Sequence, residues 1–535
     1  MNFWRRYNIY IFVAILLLAM PCAGFAQRSK ENTLQLQKLN RFYGLLQMQY
    51  VDEVDMSPLV ESAIKGMLSE LDPHSTYLNQ EELKAEMESF SGEFSGIGIE
   101  YNILNDTIIV VNTVAGGPAG EVGVLPNDRI VRVDNENVVG IERKDVPSKL
   151  RGEKGSTVQI GIVRKGVPDV LNFAIVRDKI PITTIDAAYK INDGVGYIKV
   201  NRFGHTTMTE FREAMASLGG VESLILDLRG NGGGLLNQAL DMAGYFLPSG
   251  AEIVSIEGRA ISSESYTNPR KGEFDGRVMV LIDESSASAS EIVAGAIQDW
   301  DRGIIVGRDS FGKGLVQRQI PLGDGSAVRL TMARYHTPSG RVIQRPYKKG
   351  DKESYYKAHY ERLAGHEVDS LSLDSRPAYK TLRTGRVVYG GGGICPDVVV
   401  EATDTTRVSN YMIKLLSQGI YRDFAMSYLD KHRDKITSQW PTFEQFDKYF
   451  TLTDSDLEGL KSLATDAGIA YDADGFELSR ELIRNQISAI IAQSVYSTEA
   501  FYRWMNPREA EIYKQAVDLM INWDSKVKPL LEGKR

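Results

Sequence analysis

A serine, a lysine and a glycine-rich loop are the residues of this sequence whose types and spacing suit catalysis. Ser288 is the middle serine of Ser286-Ala287-Ser288-Ala289-Ser290-Glu291, between an apolar run at 278–282 and the residues Ile292, Val293, Ala296, Ile297 and Trp300, which recur at helical spacing. The pattern predicts a buried strand, a turn and a helix, with Ser288 at the helix entrance, where unpaired N–H groups and the positive end of the dipole stabilise an oxyanion. Lys313 follows a second apolar run, 304–306, and lies in Phe311-Gly312-Lys313-Gly314, where it is the candidate base. Other readings stand beside these. Ser288 with Glu291 also fits the capping box S-x-x-E. Gly307 to Lys313 opens like a phosphate-binding loop, but Gly314 occupies the place of the required Ser or Thr. The third feature, Arg229-Gly230-Asn231-Gly232-Gly233-Gly234, follows Ser223 to Leu228, which reads as a buried strand; it is no dinucleotide fingerprint, because Leu235 stands at the last glycine position.

Residues 285–317 resemble the signature of the C-terminal processing (tail-specific) serine peptidases. The resemblance implies that Ser288 is the nucleophile, Lys313 its general base, and Gln317 a residue that helps hold the lysine. The separation of 25 residues between serine and lysine matches the family pattern without insertion. The glycine loop resembles the family's L-D-L-R-x-N-x-G-G segment, which implies an oxyanion hole from Ala289 and either Gly232 or Gly233; the family often has proline at Gly232, so the choice of glycine stays open. No metal or organic cofactor is implied. His336 is expected to be a wall or surface residue and Asp299 a solvated helix-face residue. Two rival readings are a non-catalytic PDZ peptide-binding protein that keeps a peptidase-like fold, and a nucleotide-binding protein.

The elements that must position these residues follow from the pattern changes along the chain. Residues 27–93 read as amphipathic helix, interrupted by Leu71-Asp72-Pro73-His74-Ser75, a turn that resembles one preceding the PDZ domain in the same family. This region is assigned to packing or to homo-oligomer contacts through helical arms. Over 94–179 short β-rich runs replace the helical pattern, and Gly96-Ile97-Gly98-Ile99 resembles the PDZ loop that cradles a terminal carboxylate beside a strand edge. The expected partners are extended C-terminal protein tails. The Ser/Lys peptidase core is expected over 180–403, with 345–379 a solvated excursion and 388–400 the last core strand. Residues 404–535 read as helix without a catalytic motif. The expected fold is therefore multidomain α/β: a peptidase core with an inserted PDZ domain and helical N- and C-terminal arms.

A length of 535 residues fits several domains, since single cores rarely exceed about 250–300 residues. The net charge of −8, without a basic cluster, argues against nucleic acid as a partner. Residues 1–26 carry Arg5, Arg6, an apolar run and Gly24-Phe25-Ala26, the pattern of a cleaved export signal. The expected location is the periplasm, with membrane association as the alternative if the signal stays uncleaved or Cys22 is lipidated. Loss of Cys22 with the signal would leave Cys395 alone, so no intrachain disulfide is expected.

Overall fold

The runs at 278–282 and 304–306 are apolar at every position, the pattern of parallel strands covered on both faces. In the computed structural model, which describes residues 31–533 except 105, 115, 364–372 and 402–404, they lie in a six-stranded sheet. Its order is Ile185–Asn192, Val195–Val200, Ser223–Asp227, Arg277–Ile282, Ile304–Gly307 and Val398–Val399; the first pair is antiparallel and the others parallel. Successive residues point to opposite faces. Leu224, Leu226, Val278, Val280 and Ile305 pack beneath the helices Thr207–Ser217, Leu236–Phe246 and Ala289–Asp299. Ile225, Met279, Leu281, Ile304 and Val306 pack instead on Ile512, Tyr513, Ala516 and Leu519 of the helix Glu511–Ile521. The second cover of the core sheet thus comes from the far end of the chain, beyond the 180–403 segment.

A second sheet flanks the lysine loop. Its long strand, Ala327–His336, pairs with Leu315–Pro321 on one side and with Thr76–Leu78 and Glu252–Glu257 on the other. The sheet of the segment expected to be a PDZ domain runs Ile99–Leu104, Thr107–Thr113, Arg129–Val133, Thr157–Val163 and Leu171–Val176, and the chain enters and leaves it through the antiparallel pair Glu93–Gly96 and Asp178–Pro181. Ile99–Leu104 is an edge strand. Leu104 and Ile109 join the apolar core of the C-terminal helices, Asn102 donates to Asp423 at 3.3 Å, and Arg129 pairs with Asp430 at 3.0 Å, so the PDZ domain is docked on the helix Ile420–Gln439.

The chain forms two units, one ending at Leu71 and one from Asp72 to Arg535. In the first, residues 31–49 and Met56–Ser69 are helical, and the Asp55 carboxylate caps the second helix by accepting from Ser57 N–H. The expected export signal lies outside the described residues. Among the described residues no helix is long and apolar enough to cross a membrane.

Three expectations fail in instructive ways. The 388–400 run is not one strand: Val387–Tyr389 pairs with Ala378–Lys380, and only Val398–Val399 joins the core sheet, because the glycines between them turn the chain. The 345–379 excursion is not wholly solvated. Its helix Lys352–Leu363 buries Tyr355, His359 and Arg362, with Tyr355 and His359 against Phe311, behind the lysine loop. Asp299 is fully buried rather than solvated; its carboxylate pairs with the equally buried Arg341 at 2.6 Å and accepts from Ser339 N–H at 2.9 Å.

Candidate active site

Ser288 lies where the strand Arg277–Ile282 hands over to the helix Ala289–Asp299, at the carboxyl ends of the parallel strands, where open α/β sheets place their sites. Its backbone has φ 56° and ψ −111°. An ordinary N-cap is extended, so this residue is held in a strained conformation of the kind found at functional turns, at a cost of about 1–3 kcal/mol. The turn is pinned by Ser286, whose hydroxyl donates to the Leu228 carbonyl at 2.8 Å. The Glu291 carboxylate accepts from Ser288 N–H at 2.7 Å, which is one arm of the expected capping box, but the Glu291 N–H donates to the Ser288 main-chain carbonyl at 2.9 Å.

Glu291 does more than cap. It is fully buried and also accepts from Gly312 N–H at 2.8 Å, from Lys313 N–H at 2.9 Å and from the Ser310 hydroxyl. One carboxylate therefore receives donors from both the Ser288 turn and the lysine loop. Tyr335 ties the same two residues from the other side, its hydroxyl donating to the main-chain carbonyls of Ser288, at 3.2 Å, and of Lys313. Burial pushes the Glu291 carboxyl up, and these four donors oppose the shift. Lys313 is lowered from the ordinary lysine range to about 8, chiefly by burial and next by the Arg329 cation, against the pull of Glu291, Glu86 and Asp72. An amine near that value is neutral often enough to take a proton.

Gln317 lines the same cavity as Ser288 and Lys313, a space of about 530 Å³ whose wall includes Gly232, Gly233, Ala289 and Tyr335. Its amide group donates to the His74 carbonyl at 2.8 Å. The residue expected to hold the lysine is thus itself held by the Asp72–Ser75 turn. Asp72 builds that turn by accepting from His74 N–H and from the Ser75 hydroxyl, and it reaches the long strand through Thr331. His74 is neutral, its pKa lowered to about 3 by burial and by the Lys313 cation.

The two candidate glycines differ. Gly233 N–H donates to the Asn231 side chain at 2.9 Å, whereas Gly232 N–H has no acceptor among the described residues. Gly233 has φ 101°, and a Cβ there would stand 2.8 Å from the Ser288 Cβ, so only glycine lets the loop press against the nucleophile turn. Asn231 locks that contact: its carbonyl accepts from Ala287 N–H at 3.0 Å and from the Ser290 hydroxyl at 2.9 Å, and its amide donates to Val200. Ala289 opens the helix, so its N–H has no intrahelical acceptor. In the PDZ domain the carbonyls of Ile97 and Gly98 accept from Ala119 and Val114 N–H, and Ile99 begins the edge strand. Gly96 belongs to the hinge pair instead, opposite Asp178.

Sequence reasoning missed Asn231, Glu291 as a bridge, Tyr335 and the Asp72 turn. Each acts through hydrogen bonds to residues distant in sequence, and only the N-G-G-G and L-D-P-H-S segments carried any signal of them. His336 is a half-buried strand residue near Glu257 and does not line the cavity that Ser288 and Lys313 share.

A model described as peptidase family S41 matches residues 194–353. The carboxy-terminal-processing protease of Bartonella bacilliformis (strain ATCC 35685 / KC583 / Herrer 020/F12,63) is 38% identical over 350 residues, 63% of this chain and 80% of that protein. The chain belongs to the carboxy-terminal processing proteases of peptidase family S41. The processing proteases CtpB and CtpA of Bacillus subtilis (strain 168) are 36% and 34% identical to this S41 chain, over 61% and 66% of it and 68% and 74% of their own lengths. Its residues 95–175 match the PDZ domain, and 21–82 match the N-terminal domain of the activating protease CtpB. Residues 411–497 match a family of unknown function.

Proposed function

We propose that this chain is an endopeptidase that captures protein C-termini through its PDZ domain and cuts peptide bonds with a Ser288/Lys313 dyad. The observation that carries this reading is the strained Ser288 backbone beside a buried lysine lowered to about 8, both lining one cavity and both tied to Glu291 and Tyr335. The neutral Lys313 amine takes the Ser288 hydroxyl proton as the oxygen attacks the scissile carbonyl. Ala289 N–H and Gly232 N–H then hold the oxyanion; Gly232 is favoured over Gly233 because the Gly233 N–H is already bonded to Asn231. Collapse expels the amine, which takes the proton back from Lys313, and water hydrolyses the acyl-enzyme by the reverse path.

The test is labelling with a fluorophosphonate probe followed by peptide mapping, alongside peptide cleavage. Label on Ser288, lost with cleavage in Ser288→Ala and Lys313→Ala by roughly a thousandfold or more, is the expected result. Wild-type cleavage by purified Ser288→Ala would overturn the assignment, and it would favour neither glycine of the loop.

A further inference from the structure

The oxyanion loop leaves the core sheet at Arg229, and what holds Arg229 comes partly from outside the peptidase segment. Its guanidinium lies on Asp227, with Nε 3.0 Å from either carboxylate oxygen, and its Nη2 donates to Asn506 Oδ1 at 3.1 Å. Asn506 is on the helix Thr498–Glu509, close to three hundred positions along the chain, and is only 2% exposed. Its Nδ2 donates to the Tyr189 hydroxyl at 3.0 Å. The Tyr189 ring packs on Tyr197 with centroids 4.8 Å apart and planes tilted by 34°, and the Tyr197 hydroxyl donates to Asp227 at 2.6 Å. Asp227, Arg229, Asn506, Tyr189 and Tyr197 thus form a closed ring at the root of the loop, with Asp227, Asn506 and Tyr197 buried and Arg229 and Tyr189 half-buried. Nη2 also donates to Asp227 Oδ2 at 2.5 Å, so Asn506 supplies a second acceptor for the same charged nitrogen. Asp227 also accepts from Arg229 N–H at 2.9 Å, so side chain and main chain of Arg229 share one anchor; Lys199 donates to the Arg229 carbonyl, Gly230 N–H donates to Asp283 at 2.9 Å, and the loop then reaches Asn231, which takes the Gly233 N–H and leaves that of Gly232 free among the described residues.

We propose that Asn506 is a positioning residue for the reaction: by fixing Arg229 it holds the loop that presents the Gly232 N–H to the oxyanion. This gives the C-terminal helical region a part in the chemistry although it contributes no group to the cavity. The proposal rests on the Ser288 reading. A support of this kind acts on the transition state, because the oxyanion forms only there. Loss of Asn506 therefore lowers kcat and the rate of probe attack on Ser288, both of which need the oxyanion hole, and leaves KM nearly unchanged.

The experiment uses the full-length chain, a peptide with a free C-terminus and the fluorophosphonate probe. Asn506→Ala is expected to lower kcat and the labelling rate together by roughly tenfold, less than loss of an oxyanion donor itself, with KM within about twofold. Asn506→Asp keeps an oxygen for Arg229 and is expected to restore both rates. Tyr189→Phe removes the other bond of Asn506 and leaves Arg229 alone, so it is expected to keep them. Unchanged rates in Asn506→Ala overturn the proposal, as does a fall in Tyr189→Phe or Asn506→Asp equal to that in Asn506→Ala, which would mark a packing effect. Should Asn506→Ala not fold, Arg229→Lys carries the same test, since a lysine cannot fork between Asp227 and Asn506; wild-type rates there overturn the proposal too. Ser288→Ala is run in parallel: cleavage by that variant removes the Ser288 reading, whatever the order of the Asn506 series.

Discussion

A lysine amine has to be neutral before it can take a proton from a serine hydroxyl, and at Lys313 the surroundings work in both directions. Burial and the Arg329 guanidinium favour the neutral form, whereas Glu291 on the nucleophile helix, Glu86 on the helix Gln80–Ser91 and Asp72 on the turn favour the charged one. Arg329 is paired with Glu86, so the two charges that face the cavity partly cancel. The net result is about 8. Below that value the amine is protonated and inactive, so kcat/KM should rise with pH and level off above it. Arg329→Leu removes a cation that opposes protonation, which raises the lysine pKa and moves the midpoint to higher pH. A pH–rate profile of both proteins checks this. A flat profile across roughly pH 6–9, or a midpoint moving down in Arg329→Leu, would remove the lysine as the base.

The PDZ strand Ile99–Leu104 and the Ile97–Gly98 turn before it define the element-scale question that the proposed function raises, which is how a tail would be recognised before cleavage. An edge strand accepts an extended peptide with little demand on its side chains, while backbone N–H groups at its start favour a carboxylate through charge-assisted hydrogen bonds. An amidated peptide should therefore be cut more slowly than its free-acid twin, with the largest difference at low substrate, where capture limits the rate. Gly98 has φ 74°, and a Cβ there would approach Ile180 Cδ1 at 3.0 Å and Gly117 Cα at 3.3 Å, so Gly98→Ala should distort the loop and shrink the difference. Paired steady-state curves on the two peptides decide the matter. Equal cleavage at every concentration by the intact chain defeats tail recognition and leaves the Ser288/Lys313 proposal standing.

At the scale of the whole molecule, the C-terminal helices touch both the PDZ domain and the core sheet. The helix Ile420–Gln439 carries the PDZ domain, and the segment from Thr498 to Leu531 covers the core sheet and braces Arg229. Truncation after Glu401 would bare Ile225, Met279, Leu281, Ile304 and Val306. Each such side chain stabilises by about 1.5–3 kcal/mol when buried, and the sum rivals the whole stability of a domain, about 5–15 kcal/mol. The truncated chain should therefore fail to unfold cooperatively and should bind hydrophobic dye. A soluble, cooperatively melting and active fragment ending at Glu401 would show that the sheet does not need this cover.

Local chemistry is what the sequence determined. Strand-to-helix periodicity placed Ser288, the L-D-L-R-x-N-x-G-G and F-G-K-G segments marked the loops, and alternating β-runs marked the PDZ domain, because each of these depends on neighbours a few residues away. Tertiary structure alone decided the rest. That Glu291 and Tyr335 tie Ser288 to Lys313, that Asn231 engages Gly233 and leaves Gly232 free, and that Asp299 is buried on Arg341 all depend on side chains brought together from distant segments. The same holds for the second layer of the core sheet: apolar strands announce that both faces are covered, but nothing local says which helices cover them. Burial and hydrogen bonding act between whatever the fold brings within a few ångströms, and 535 residues offer many amphipathic helices among which only packing chooses.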